Sequence, residues 1–297
     1  MPSQWTLPAS WQWPSSLTLP DSWSRPGQWT WLTSWELPSL PTQWEFASVK
    51  ALLARLGWPA AGADPADTVP AVAVDGPTVQ TQFSGCRQLF PGEQPPIVPA
   101  SQGLRELCFS GFAVLHSGQT KTPVFTVERL SRIRLKQAQG LERTDRFYAE
   151  ARLPKAERAE LEDYKGSGYS RGHMAPAADM YTPDMMAQSF SLANMVPQNQ
   201  SQNAGAWKRI EEDTRKYVMR AQGDVYVFTG PVYASPVQHI GEGVAVPAYL
   251  YKAVYDATTR RSWVYWQVNS ADAKAGPPIG YDELVKRVGI QFLPRSP

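Results

Sequence analysis

From about residue 107 onward, apolar positions fall into short runs separated by turn-forming residues. Leu107–Leu115 and Pro123–Val127 predict two strands about the turn Ser117–Lys121. Asp224–Thr229, Val244–Tyr255 and Ser262–Val268 are rich in aromatic and β-branched side chains and predict three more, with Ser191–Val196 a shorter one. Helical patterning is local. Pro154 precedes a predicted helix over Lys155–Asp163, and Thr182 is placed to cap a helix with Pro183 at its first position. A longer amphipathic segment covers Ala206–Met219, and Tyr281–Val288 predicts a closing helix. Strands and helices alternate irregularly and several strands are a hairpin turn apart. The predicted class is α+β, with a mixed, largely antiparallel central sheet and helices packed on it.

The first 82 residues carry a different pattern. Over residues 1–46, Trp, Pro, Ser and Leu dominate, and nine of the twelve tryptophans lie before residue 59. Proline recurs too often for a long helix, and nothing alternates as a strand would. The segment reads as an aromatic interaction element, or as an extension or mis-assigned translation start. Val49–Ala63 resembles a short secretory signal with a basic start, an apolar middle broken by Arg55 and a small-residue end. Residues 64–82 read as a linker. The expected division is therefore 1–82 as extension and linker, and 83–297 as the main domain.

Composition narrows the functional classes. The formal net charge is +2, so no global basic field announces a polyanion and any such surface must be local. One local cluster exists: Arg129, Arg132, Arg134, Lys136, Arg143 and Arg146 fall within eighteen residues. It reads as a solvated face or as the flank of a phosphate groove. No apolar run is long enough to span a bilayer, so no stable membrane association is expected. Two cysteines, Cys86 and Cys108, are too few for a zinc cluster. They flank a proline-rich loop and are read either as one bridge or as two buried thiols. The bridge and the signal-like segment together predict a periplasmic or secreted protein.

Two stretches carry chemistry: Tyr169–Pro176, containing Arg171-Gly172-His173, and Asn194–Trp207, an amide-rich loop running into the long helix. His116 and His239 have no ligand-spaced partners and read as structural or surface residues. His173 stands two residues from Arg171, and a neutral imidazole can take a proton from water near neutral pH. Asn203, beside the helix start, reads equally as an N-cap or as an oxygen ligand for a hard cation. Glu211 alone would read as a solvated helix face. It lies eight residues on, roughly 12 Å along a regular helix. Direct ligation of one ion by both would need a bend; otherwise one binds the ion and the other holds its waters.

These residues resemble the DNA/RNA non-specific endonucleases, the endonuclease G-like ββα-metal (His-Me finger) nucleases. The matching elements are Arg171-Gly172-His173, Asn194-Met-Val-Pro-Gln198, Asn203-Ala-Gly-Ala-Trp207, then Glu211 and Arg215 at a four-residue step. Arg146-Phe-Tyr, Thr229–Val232 and Val246–Lys252 extend the likeness, which spans roughly residues 83–293. It implies a ββα-metal motif in the fold and Mg²⁺-dependent hydrolysis of DNA and RNA to 5′-phosphate products, with Mn²⁺ as a substitute ion. It assigns His173 as general base, Asn203 as metal ligand and Glu211 as holder of metal-bound water. Arg171, Arg146 and Arg215 would grip phosphates, and Asn194 would fix the site. Partners would be DNA and RNA, held through the phosphate backbone, and an inhibitor protein. The alternative is a catalytically weak or silent nucleic-acid-binding or toxin module of the same fold. One departure stands out: Ser170 occupies the place where the family usually has Asp.

Overall fold

The computed structural model describes residues 76–294. The Trp-rich segment, the signal-like stretch Val49–Ala63 and linker residues 64–75 lie outside the described residues. Within the stretch read as linker, strand β1 (Thr78–Gln80) pairs antiparallel with β2 (Ile97–Pro99).

The centre is a six-stranded sheet. Its strands are β3 (Leu104–Cys108), β4 (Phe112–Ser117), β5 (Thr122–Leu130), β8 (Val225–Val232), β11 (Tyr249–Asp256) and β12 (Arg261–Val268). They lie side by side in the order β12-β11-β8-β5-β4-β3, and every pairing in this sheet is antiparallel. Alternation along β5 explains why both faces are covered. Phe125 and Val127 enter a cluster with Phe83, Phe90, Phe228 and Phe292. Leu130 instead joins the cluster that holds Leu135 and Val218. The ladder thus sends successive side chains to opposite layers. The first layer is tied at its margin by a disulfide between Cys86 and Cys108, which resolves the two readings of these cysteines in favour of the bridge.

The second layer positions the site. Strands β6 (Tyr169–His173) and β7 (Met195–Asn199) form a separate antiparallel hairpin, with His173 opposite Met195. Beyond β7 the chain makes a helical turn at Gln200–Gln202, a π-helical segment at Asn203–Trp207, and then helix α4 (Lys208–Val218). Three smaller helices precede α4: α1 (Arg132–Ala138), α2 (Leu161–Tyr164) and α3 (Pro183–Ser189). Helix α5 (Tyr281–Val288) follows the sheet, and a small hairpin of β9 (Gln238–Ile240) and β10 (Val244–Val246) flanks β7. Trp207 and Ile210 pack on Leu250 of the sheet and on Met174 and Val196 of the hairpin. That contact presses the ββα unit onto the sheet.

Several sequence expectations are corrected. The apolar run Leu107–Leu115 is not one strand: it folds back at Ser110-Gly111, where the Phe109 N–H bonds to the Phe112 carbonyl. Val244–Tyr255 is split by Pro247, which cannot donate to a ladder. The predicted helix over Lys155–Asp163 is a 3₁₀ turn at Lys155–Glu157 followed by α2, whose Glu160 and Asp163 form a reciprocal capping box. Ser191–Val196 begins as a 3₁₀ turn and becomes strand only at Met195. Helix α1 stands within the arginine cluster, capped by the Ser131 hydroxyl. The Thr182 cap is where the sequence places it, its hydroxyl accepting from the Met185 N–H.

Candidate active site

The helix leading to α4 starts earlier than its apolar pattern suggests. Asn199, not Asn203, is its cap: the Asn199 Oδ1 accepts from the N–H groups of Ser201 and Gln202, at 3.0 and 3.2 Å. Asn203 already has helical backbone angles. Its amide is therefore free of the capping role, and it lines a cavity of about 590 Å³ together with Arg143, Phe147, Ser170 and Arg171.

The π segment has a geometric consequence. In a regular helix, residues eight apart are displaced by roughly 80° around the axis. A π turn takes in one extra residue, so eight residues sweep what seven would, about 20° short of two full turns. Asn203 and Glu211 are thereby brought to nearly the same face.

His173 ends β6. Its ring lies edge-to-face against Phe190 at 5.0 Å between centroids and tilted against Phe147 at 5.7 Å. Its Nε2 is buried without a hydrogen-bond partner among the described residues. Loss of hydration, aided by the nearby Arg143 guanidinium, pushes the imidazole down to about 3. The ring is neutral at pH 7, the form able to accept a proton. Gly172 is required beside it, because a Cβ there would run into the Gln198 amide.

Asn194 is fully buried and fixes the backbone just beyond the histidine. Its Nδ2 donates to the carbonyls of Ala175 and Ser189, and its Oδ1 accepts from the Ala175 N–H, all at 2.9 Å. All its side-chain bonds go to backbone, so it positions the site and does not line it.

The arginines separate. Arg171 stacks over Phe147, with Cζ 4.1 Å from the ring centroid, and faces the cavity. Arg215 donates from Nη1 to Oδ1 of buried Asp179 at 3.1 Å. Arg146 is exposed, forms no ion pair among the described residues and does not line the cavity. Arg143 does line it, its Cζ 5.1 Å over Phe190. The sequence reading had Arg143 only as one of the basic run that could flank a phosphate groove and gave the phosphate role to Arg146, three residues later. It missed Phe147 and Phe190, which hold His173 from two sides.

Beneath α4 lies a buried charged layer that local motifs could not reveal. Lys252 is 1% exposed; its ammonium donates to Thr229 Oγ1 at 2.8 Å and lies 5.5 Å from the Trp207 ring centroid. Glu128 is wholly buried with neither oxygen hydrogen-bonded among the described residues, and burial, with Asp179 adding to it, pushes its carboxyl well up. Burial also raises Glu211, to about 7, against the opposing pull of Lys252.

The oxygen donors at this site are few. Among the described residues no three His, Cys, Asp or Glu side chains converge as a metal cluster. What is present is one amide oxygen facing a cavity and one carboxylate on the same helical face. That suits a hard ion such as Mg²⁺, which keeps most of its waters and takes one or two protein oxygens.

The antiparallel sheet and the β6–β7 hairpin running into α4 define the α+β, ββα-metal class. The profile of the DNA/RNA non-specific endonucleases matches residues 96–292, and the chain belongs to that family. It is similar to "Nuclease EXOG, mitochondrial" of Xenopus laevis, 37% identical over 207 residues, covering 62% of this chain and 56% of the relative. The human protein of the same name is 34% identical over 217 residues, covering 65% and 58%. Human "Endonuclease G, mitochondrial" is 30% identical over 155 residues, covering 48% and 52%. The chain thus spans little more than half the length of these relatives. A crystal structure of the EndoG/EndoGI complex, concerned with EndoG inhibition, superposes with a TM-score of 0.60 at 23% identity, covering 71% of this chain and 91% of that one, and agrees in fold. The names correct one expectation: the relatives with the strongest matches, the EXOG nucleases among them, are named as mitochondrial nucleases, which overturns the periplasmic or secreted assignment. No helix among the described residues is long and apolar enough to cross a membrane.

Proposed function

We propose that this chain is a Mg²⁺-dependent, non-specific endonuclease that hydrolyses DNA and RNA to 5′-phosphate products, with residues 83–297 as the catalytic domain and 1–82 as an extension. The observation that carries the reading is the Phe147 ring. It packs against both His173, at 5.7 Å between ring centroids, and Arg171, whose Cζ is 4.1 Å from its centroid, so one ring holds a neutral base and a guanidinium suited to phosphate in one relative position. Asn203, on the same cavity as Arg171, would hold the cation, and Glu211 would hold its waters; when bound, the ion supplies positive charge against the phosphate. Mn²⁺ offers the same oxygen-binding chemistry.

In this reading His173 takes a proton from water as the water oxygen bonds to phosphorus. The bond from phosphorus to the 3′ oxygen breaks, the departing oxygen takes a proton from solvent water to become the 3′ hydroxyl, and the phosphate stays on the 5′ side. Arg171 and Arg143 grip non-bridging oxygens in pairs. Arg146, exposed on the same loop, serves a neighbouring phosphate, and Arg215 acts mainly through its pair with Asp179. Contacts made to phosphate carry no base information, so both DNA and RNA fit. The fold shared with the inhibited EndoG supports an inhibitor protein as a further partner.

The test is digestion of plasmid DNA and of a structured RNA by the purified chain with Mg²⁺, with Mn²⁺ and with chelator. Cleavage with either metal and none with chelator supports the reading. Nucleic-acid binding without cleavage in any condition supports the silent-module alternative instead.

A further inference from the structure

A second cavity, about 660 Å³, opens on the far side of Arg143. Its walls come from the end of α1, the loop after it, the 3₁₀ turn Ala177–Asp179 and the C-terminal half of α4. The floor is apolar: Leu135, Ala138, Leu141, Ala177, Met186 and Met219. The rim carries Arg143, Arg215, Lys216 and Arg220, with Glu212 the one acid among the lining residues. Just behind it Asp145 pairs with Arg143, Asp179 with Arg215 and Asp213 with Lys216, and the Arg143 and Lys216 pairs are exposed enough to exchange for a phosphate. Arg143 also lines the cavity of Arg171 and Asn203, so one guanidinium is common to both spaces. The catalytic reading uses none of the floor residues.

We propose that this cavity is a nucleoside subsite, taking the base and sugar next to the phosphate that lies between Arg143 and Arg171. The inference rests on the endonuclease reading and adds a binding site to it. The chemistry matches on two counts. A nucleoside presents an apolar face with its phosphates at the edge, which is the pattern of this floor and rim. The volume also lies within the ordinary range for small-molecule pockets, about 300–1,000 Å³. A strand held at the shared Arg143 runs from one cavity into the other. The floor offers no aromatic ring, so the base is held by burial of apolar surface and not by stacking, which makes the subsite tolerant of base identity. Lys216 and Arg220, on successive turns of α4 and its end, would meet the next phosphate outward.

The test measures binding and so does not depend on turnover. A labelled hexanucleotide is titrated into the full chain in chelator, and into Ala138→Trp and Ala178→Trp, two variants that fill the cavity from half-buried and exposed positions. A matched series carries one abasic position at each site in turn. The expected result is a Kd raised about tenfold when one particular base is missing, the size of effect that burying a modest apolar surface gives. Both Trp variants should show the raised Kd already and no further response at that position. Thermal melting shows that the variants are folded; should one fail to fold, the other carries the comparison. Equal Kd for every abasic position, or Trp variants that bind as the unaltered chain does, overturns the subsite. Failure of the metal-dependent digestion would overturn the endonuclease reading and leave this binding result to stand or fall by itself.

Discussion

Arg215 on α4 and Asp179 on the 3₁₀ turn after β6 form an ion pair, Nη1 to Oδ1 at 3.1 Å, with the Asp179 side chain only 5% exposed. The pair ties α4 to the segment that follows His173. A guanidinium engaged this way is chiefly a structural tie, so Asp179→Ala should destabilise the fold by about 3 kcal/mol, because it strands a charge beside the buried layer. Thermal or urea unfolding measures this. A loss under about 1 kcal/mol would show that Arg215 is not held by the pair and is available to the substrate.

The metal assignment separates two residues on one helical face. Asn203→Ala should raise the Mg²⁺ concentration for half-maximal cleavage by at least tenfold, and Glu211→Ala by less, since it acts through water. Rates across a metal series decide it, and the reverse order would overturn the assignment.

Stability should depend on pH through His173. Its folded value, about 3, lies below its unfolded one near 6.5. Between these values the unfolded chain binds the extra proton, so stability is lost as pH falls from 6.5 towards 3. Glu211, raised to about 7, works in the opposite sense over about 4.5 to 7, but equally in both proteins compared. In chelator, His173→Gln should therefore lose less melting temperature between pH 7 and 4.5 than the unaltered chain. Parallel curves would mean that the ring is not desolvated.

Ser170 lines the cavity next to Arg171 where the family usually has a carboxylate. Ser170→Asp should raise turnover, because the added charge would orient Arg171 and attract the cation. Screening limits its repulsion of substrate beyond roughly 10 Å. An unchanged or lower rate at every Mg²⁺ concentration would show that the serine is an adapted replacement.

How much of this was legible in the sequence follows from how local each feature is. His173, Asn194 and Asn203 sit in two short stretches whose residue types suggested base and metal chemistry; the structure sets Asn194 against the backbone just after His173 and Asn203 on the cavity lined by Arg171. The α+β class was legible because the strand runs are strongly β-branched and aromatic. Asn203 was ambiguous because three asparagines and three glutamines crowd residues 194–203, and only backbone angles show which asparagine caps. Arg143 could not be told from Arg146, because an irregular loop sets which guanidinium turns inward. Glu128 and Lys252 lay furthest from view: 124 residues apart, they reach one buried layer only through the pairing of β5, β8 and β11.

The proposed function turns on His173 as the base of a metal-dependent nuclease. Its most direct test compares cleavage and binding of one DNA duplex by the unaltered chain and by His173→Ala, in Mg²⁺ and in chelator. The expected result is at least a ~100-fold loss of cleavage in the variant, with duplex affinity changed less than about threefold because no phosphate contact is removed. Retention of more than about a tenth of the original turnover would contradict it.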